Sequence, residues 1–238
     1  DGLTGGAVWH DAFAEDTERV TWELVRAARE AGAVVVNHAR ATALRRADGR
    51  VTGATVTDLL TGRAHTVRAA TTVFAGGPWI GDLAPELAGA GGLPAGWVRA
   101  FNLVVRRPWV SAFGTALEGT VEHRDPAAVV RRSRRNLFLV PWRGGTLVGT
   151  WYLPYNGAPD ACGLTPAEIE SAVDEINAVY PALALRPEEV GMTHVALLPA
   201  HAAGSAEPDK TVRLLDDTCG APPGLLVLQG VKYTTGIV

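Results

Sequence analysis

Several things are scarce in this chain of 238 residues. It has two cysteines, Cys162 and Cys219, and their separation matches no metal-ligand spacing. They suggest a reduced compartment more than a disulfide framework. No run approaches the roughly 20 apolar residues that a bilayer-spanning helix needs. The opening Asp1-Gly2-Leu3-Thr4-Gly5-Gly6 has neither a basic start nor an apolar stretch, so no signal peptide is read there. It also lacks an initiator Met, which suggests part of a longer protein. Net charge is only −3, so no basic field points to nucleic acid. Lysine occurs twice against twenty arginines, a bias of coding rather than of function. The one basic cluster is Arg131, Arg132, Arg134 and Arg135, read as a solvated strand edge. No P-loop, no Ser/His/Asp arrangement and no Gly-x-Gly-x-x-Gly turn is found.

The composition that is present, 47% hydrophobic and 20% charged, is that of a globular domain. Apolar residues Val20, Leu24, Ala27 and Ala31 recur at helical spacing after Asp16, a good N-cap, and Gly32 ends the pattern. Val34-Val35-Val36 reads as a short buried strand. Segments 42–46, 51–60 and 65–68, divided by Asp48-Gly49 and Thr61-Gly62, read as a meander. Residues 71–75 read as a buried strand that runs through Gly76-Gly77 into a helix at Pro78. That arrangement aims backbone N–H groups at an approaching anion or cofactor. The glycine-rich stretch 89–96 reads as a loop. Beyond Trp97 the texture becomes strands, at 98–105, 136–142, 146–150, 192–198, 212–215 and 225–228. Trp142-Arg143-Gly144-Gly145 makes a hairpin turn. Thr165-Pro166-Ala167-Glu168 is a capping box opening a helix that Pro181 stops. The fold class is therefore α/β (α+β), with a mixed first part followed by a larger, mostly antiparallel sheet.

Segments along nearly the whole chain carry a family resemblance. They are Gly5-Gly6-Ala7 with Asp11, then 31–38, Asp58-Leu59-Leu60-Thr61-Gly62 and Ala75-Gly76-Gly77-Pro78-Trp79. Val140-Pro141-Trp142, Leu147-Val148-Gly149-Thr150 and Gly230-Val231-Lys232-Tyr233-Thr234-Thr235 follow in order. In these the chain resembles the FAD-dependent glycerol-3-phosphate dehydrogenases of the D-amino-acid-oxidase-like superfamily. The resemblance implies a Rossmann-like FAD domain interleaved with a mostly antiparallel-sheet substrate domain. Residues 1–85 and 222–238 would belong to the FAD domain and 86–221 to the substrate domain. It also implies that the family's pyrophosphate-gripping turn precedes this chain, which alone would not hold FAD tightly.

Carried over residue by residue, the resemblance places Ala41 at the adenine and Ala75, Gly76 and Gly77 at the turn passing the cofactor. Gly230, Lys232, Thr234 and Thr235 fall beside the flavin ring. A lysine there would stabilise the negative charge that arrives with a hydride. Trp79 is read as packing. The family arginine that grips the substrate phosphate is replaced by Leu198, in Ala196-Leu197-Leu198-Pro199, and a leucine offers no bidentate charge. A second arginine falls at Lys210, and a histidine beside the flavin falls at Asn102, which cannot act as a base. Trp151 and Tyr152 stand where the family has small or acidic residues, and Trp151 is taken as a substrate contact. Either His194 or His201 could accept the proton; His194 is the choice here.

The function expected is hydride transfer from a small hydroxy compound, glycerol 3-phosphate or an analogue, to FAD. The alternatives are an enzyme for another hydroxy or amino compound, or a non-catalytic binding module. The electron acceptor would be a quinone or oxygen. A cytoplasmic location, with peripheral contact to a membrane left open, completes the expectation.

Overall fold

The computed structural model describes residues 5–87, 93–122 and 134–231. The chain divides into two compact units, at Asn37 and His38.

The first unit is built on α1 (Thr17–Glu30). The Asp16 carboxylate accepts the N–H of Arg19 at 3.0 Å, satisfying one of the free donors of the first turn. Arg26 pairs with Glu23 and Glu30 along the exposed surface. After Ala31 the backbone turns through Gly32 at φ 97°, a left-handed conformation that glycine takes without penalty. No residue of α1 is buried. Val34, Val35 and Val36 form no strand and are 91%, 44% and 68% exposed, contrary to the sequence expectation. Local β-propensity does not make a strand unless a neighbour supplies the ladder, and no described strand pairs with them.

The second unit begins with the antiparallel meander β1 (Ala39–Ala47), β2 (Arg50–Asp58) and β3 (Ala64–Arg68). Asp48 and Gly49 both have positive φ, the signature of a tight hairpin whose twist matches its strands. Asp58 accepts from Thr61 Oγ1 at 2.6 Å and from the Leu60 N–H at 2.8 Å, fixing the second turn. Those bonds, that of Thr61 first, hold its carboxyl below the usual range. Strand β4 (Thr72–Phe74) follows, then a 3-10 turn (Gly77–Trp79) and α2 (Ile80–Leu83). Val73 is 54% exposed, so β4 is not the buried strand anticipated.

A five-stranded antiparallel sheet forms the body of this unit. Its strands are β5 (Trp97–Val105), β6 (Thr115–Glu122), β7 (Arg134–Trp142), β8 (Gly145–Tyr155) and β9 (Val190–Pro199), in the order β6-β7-β8-β5-β9. The β7–β8 turn has Arg143 and Gly144 at positive φ, as its sequence required. Helix α3 (Pro166–Val179) packs on one face, burying Ala172, Val173 and Ile176 against Phe101, Leu103, Leu137, Leu139 and Val148. Its capping box is complete: Glu168 accepts from the Thr165 N–H and Thr165 Oγ1 accepts from the Glu168 N–H. Glu168 also pairs with Arg99, a buried guanidinium of β5, and so ties the helix start to the sheet. Burial raises the Glu168 carboxyl, but the Thr165 donors and Arg99 outweigh it and leave the group below its usual value.

Two last strands, β10 (Arg213–Leu215) and β11 (Leu225–Gln229), complete a three-stranded sheet ordered β10-β11-β4. Here β11 runs parallel to β4, with Leu225, Leu226 and Val227 opposite Thr72, Val73 and Phe74. A second core lies on this sheet, made of Val51, Ile80, Ala84, Leu87, Leu215, Leu225 and Val227. Gly224 fixes the crossing with the meander. It sits at φ 84°, and a β-carbon there would lie 2.4 Å from the Val51 carbonyl oxygen. Of the basic cluster, Arg131 and Arg132 lie outside the described residues, as does the first half of the glycine-rich stretch. Arg135 pairs with Glu175 of α3.

Three substitutions have distinct expected outcomes. Gly224→Ala combines backbone strain with overlap and should cost about 2–3 kcal/mol, lowering the melting temperature by roughly 5–10 °C. Gly204→Ala has strain (φ 70°) but open space, and should cost only about 1 kcal/mol. Glu168→Gln keeps the capping box but strands Arg99, and should lose on the order of 2 kcal/mol at neutral pH. Because the Glu168 carboxyl titrates below its usual value of 4.5 in the folded state, its contribution is full above that pH. It is lost as pH falls through the lower folded value, so the wild-type and variant melting curves should converge on acidification.

Candidate functional site

In a parallel pair both strands end on the same side. The carboxyl end of β4 leads into Ala75, Gly76 and Gly77, and that of β11 into Gly230, so these positions gather at one edge of the small sheet. Such edges are where open α/β sheets bind ligands. Three glycines answer to three different constraints. A β-carbon on Gly76 would meet the Phe74 ring at 2.6 Å. Gly230, at φ 69°, has the Thr211 carbonyl oxygen 2.2 Å from where its β-carbon would stand. Gly77, at φ 58°, has no heavy atom of the other described residues within 4 Å of that point.

Gln229, the last residue of β11, is 4% exposed, and neither atom of its carboxamide has a partner among the described residues. An orphaned buried amide costs about 1–3 kcal/mol and calls for a polar group to satisfy it. Nothing in the local sequence marks it, since it reads as an ordinary strand end.

Around this edge, Lys210 is exposed on the segment whose next carbonyl, that of Thr211, abuts Gly230. Its neighbour Asp209 pairs with Arg213 at 2.6 Å and accepts the Thr211 N–H at 2.9 Å. Burial raises the Asp209 carboxyl, yet the Thr211 donors and Arg213 prevail and keep it below its usual range. Ala41 is exposed on β1 opposite Val56, next to a register shift between Ala41 and Ala43. Lys232, Thr234 and Thr235 lie outside the described residues. The helix expected after Gly77 is one 3-10 turn followed by four α-helical residues, too short for much dipole. Trp79 Nε1 donates to Asp160 Oδ1 at 3.1 Å, which anchors the turn to the 159–161 segment.

The same turn touches β9 and so leads to the five-stranded sheet. Side chains alternate across a strand. Phe101, Leu103 and Val105 face α3, and Asn102 therefore faces the other way. Opposite it stands His194 on β9 and Gly149 on β8. Thr150 Oγ1 donates to Asn102 Oδ1 at 2.8 Å. The His194 ring meets Trp142 edge-on, with centroids 5.2 Å apart, and Arg143 lies over the other ring of that contact at 4.8 Å. Leu198, the residue in place of a phosphate-gripping arginine, is paired with Val98 on the same face. His201 lies beyond β9 and is exposed.

One assignment needs correction. Trp151 does not reach this face. It is 3% exposed within the α3-side core, stacked on Phe101 at 5.4 Å, and its Nε1–H is donated to Glu175 at 2.8 Å. Its neighbour Tyr152, opposite Ala100, takes the Asn102 side. A register shift lies between the Phe101–Trp151 and Asn102–Gly149 pairs, and one residue of phase reverses the face of every side chain. Among the described residues no group of three or more His, Cys, Asp or Glu could hold a metal ion.

Comparison with known proteins matches this architecture. Glycerol-3-phosphate dehydrogenase of Synechocystis sp. is 28% identical over 98% of this chain and 43% of its own length. The aerobic glycerol-3-phosphate dehydrogenase of Bacillus subtilis is 26% identical over 98% of this chain and 40% of its own. The chain thus spans less than half the length of these relatives. Among solved structures, glycerol-3-phosphate dehydrogenase from Bacillus halodurans, complexed with FAD, superposes with a TM-score of 0.71. It is 22% identical, over 91% of this chain and 39% of that one. Glycine oxidase from Bacillus cereus superposes with a TM-score of 0.54 at 19% identity, over 89% of this chain and 49% of its own. The FAD dependent oxidoreductase (DAO) family matches residues 1–237, and the chain belongs to that family.

Proposed function

We propose that this chain contributes the substrate-facing sheet and one edge of the flavin site to an enzyme that oxidises a small hydroxy compound. The observation that carries the reading is the meeting of Asn102 and His194 on the sheet face away from α3, with the Gly77 turn against the same β9. Among the described residues, two features of the glycine edge suit FAD: the free space beside Gly77 and the unpartnered Gln229 carboxamide. Gly76, Gly77 and Gly230 would let the backbone approach the cofactor, and Gln229 would meet one of its polar atoms. Residues 1–85 and 222–238 would form the FAD domain and 86–221 the substrate domain, a division favoured by the return of β11 to β4.

Bound FAD would supply the acceptor for a hydride. The protein's own part is to place the substrate's C–H bond and to manage its proton. His194 would take the proton of the hydroxyl as the C–H bond breaks. Lys232 would place positive charge against the reduced flavin. Ala41 would lie along the adenine, and Thr234 and Thr235 along the ring. Lys210 is the cation offered to a substrate's anionic end. Electrons would pass on to a quinone or to oxygen. No helix among the described residues is long and apolar enough to cross a membrane; contact of the whole protein with a membrane surface is compatible with that.

Glycerol 3-phosphate is the first substrate to try, given the names of the relatives. Leu198 on the proposed substrate face favours a second reading, a related compound without the phosphate, because a leucine there cannot balance a dianion. The test is flavin absorbance of the complete gene product under anaerobic conditions. The yellow protein should be bleached by glycerol 3-phosphate or by glycerol, and His194→Ala should slow bleaching about 100-fold or more at unchanged FAD content. A colourless protein in the presence of added FAD, or a His194→Ala variant as fast as wild type, would overturn the reading.

A further inference from the structure

We propose that Thr150 is a positioning residue: it fixes the Asn102 carboxamide so that its NH2 end meets a substrate oxygen beside His194. The proposal rests on the reading of this face as the substrate face, and it narrows the substrate to a hydroxy compound.

A carboxamide has an accepting end and a donating end, and which end faces outward is set by its neighbours. Here the accepting end is committed. Asn102 Oδ1 takes the hydroxyl hydrogen of Thr150 at 2.8 Å. The backbone closes on the same oxygen, since a β-carbon on Gly149 would lie 2.1 Å from it. Any side chain at 149 would evict the oxygen from its place. The Nδ2 end has no partner among the described residues, so Asn102 offers two hydrogens outward while its oxygen is held against Thr150 and the Gly149 backbone.

His194 stands in paired register with Asn102, which places their β-carbons about 5 Å apart on one face. A neutral imidazole offers one nitrogen lone pair. The two side chains therefore present donors and an acceptor side by side. A hydroxyl group satisfies both, accepting from Nδ2 and donating to the ring. An ammonium has no lone pair to accept with, and the single lone pair of a neutral amine is the one that becomes the C=N bond, so neither keeps Nδ2 met as the reaction proceeds. As the alcohol is oxidised, its C–H electrons leave as hydride to the flavin, its O–H proton passes to His194, and the C–O bond becomes C=O. The Asn102 donors follow the oxygen throughout, and negative charge developing on it strengthens those bonds.

The experiment uses the FAD-loaded complete gene product, with glycerol 3-phosphate, glycerol and glycine as probes, and follows anaerobic flavin bleaching. Thr150→Val should slow bleaching by the hydroxy probes about ten-fold, the order expected for one lost hydrogen bond. Thr150→Ser restores the hydroxyl and should stay within about two-fold of wild type, with equal FAD content in all three proteins. The proposal is overturned if Thr150→Val matches wild type, if Thr150→Ser is as slow as Thr150→Val, or if glycine bleaches the wild type faster than both hydroxy probes. Should none of the three bleach the wild type, the functional reading fails instead. The positioning claim is then decided by the Asn102 side-chain NH2 resonances. They should be nearly unchanged in Thr150→Ser and displaced in Thr150→Val; resonances unmoved in Thr150→Val would overturn it.

Discussion

The parallel ladder between β4 and β11 is the constraint on which the remaining arrangement depends. Three residue pairs, from Leu225 with Thr72 to Val227 with Phe74, draw the late part of the second unit back onto an early part. Parallel pairing aligns chain direction, so Gly76 and Gly77 after one strand and Gly230 after the other end up together. An antiparallel pair would have sent them to opposite edges. The ladder also closes the second core, because Leu225 and Val227 pack with Val51 of the meander and Ile80 of α2. Gly224 permits this closure by bringing its backbone against Val51.

The larger sheet depends on a different economy. One face is filled by α3, where Arg99 pairs with Glu168, and Arg135 and Trp151 pair with Glu175, though the Nε atoms of both arginines have no partner among the described residues. With those charges paired on the helix side, the other face carries Asn102, Thr150, Tyr152 and His194. Paired charges near the core are weak evidence for stability. Their clearer consequence here is placement: Trp151 is held away from the face on which Asn102 and His194 meet.

What the sequence showed followed the range of the interactions. Helix α1, helix α3 and the meander turns rest on local signals: Asp16 and Gly32 at the ends of α1, Thr165 and Glu168, Asp48 and Gly49. All are seen in the structure. Val34–Val36 failed because a strand depends on a distant partner. Strand β6 was not read because Thr115–Glu122 carries a glycine and two glutamates and is held by pairing with β7. Trp151 failed by one residue of phase, since the register shift beside Asn102 has no mark in the sequence. The glycine turns at 76–77 and 230 were legible through family resemblance, but the orphaned Gln229 and the Thr150 bond to Asn102 were not. Both are facts about what surrounds a side chain in space.

The central claim, that the glycine edge formed by β4 and β11 receives FAD, is tested most directly at Gly77. Asparagine tolerates the left-handed backbone there, and no heavy atom of the other described residues lies within 4 Å of where its β-carbon would stand. The measurement is FAD affinity of the complete gene product carrying Gly77→Asn, together with its melting temperature stripped of flavin. The account expects affinity to fall at least about ten-fold, a loss of ~1.4 kcal/mol, while the stripped protein melts within a few degrees of wild type. Wild-type affinity in the variant would contradict it, because the space beside Gly77 would then not be where the cofactor lies.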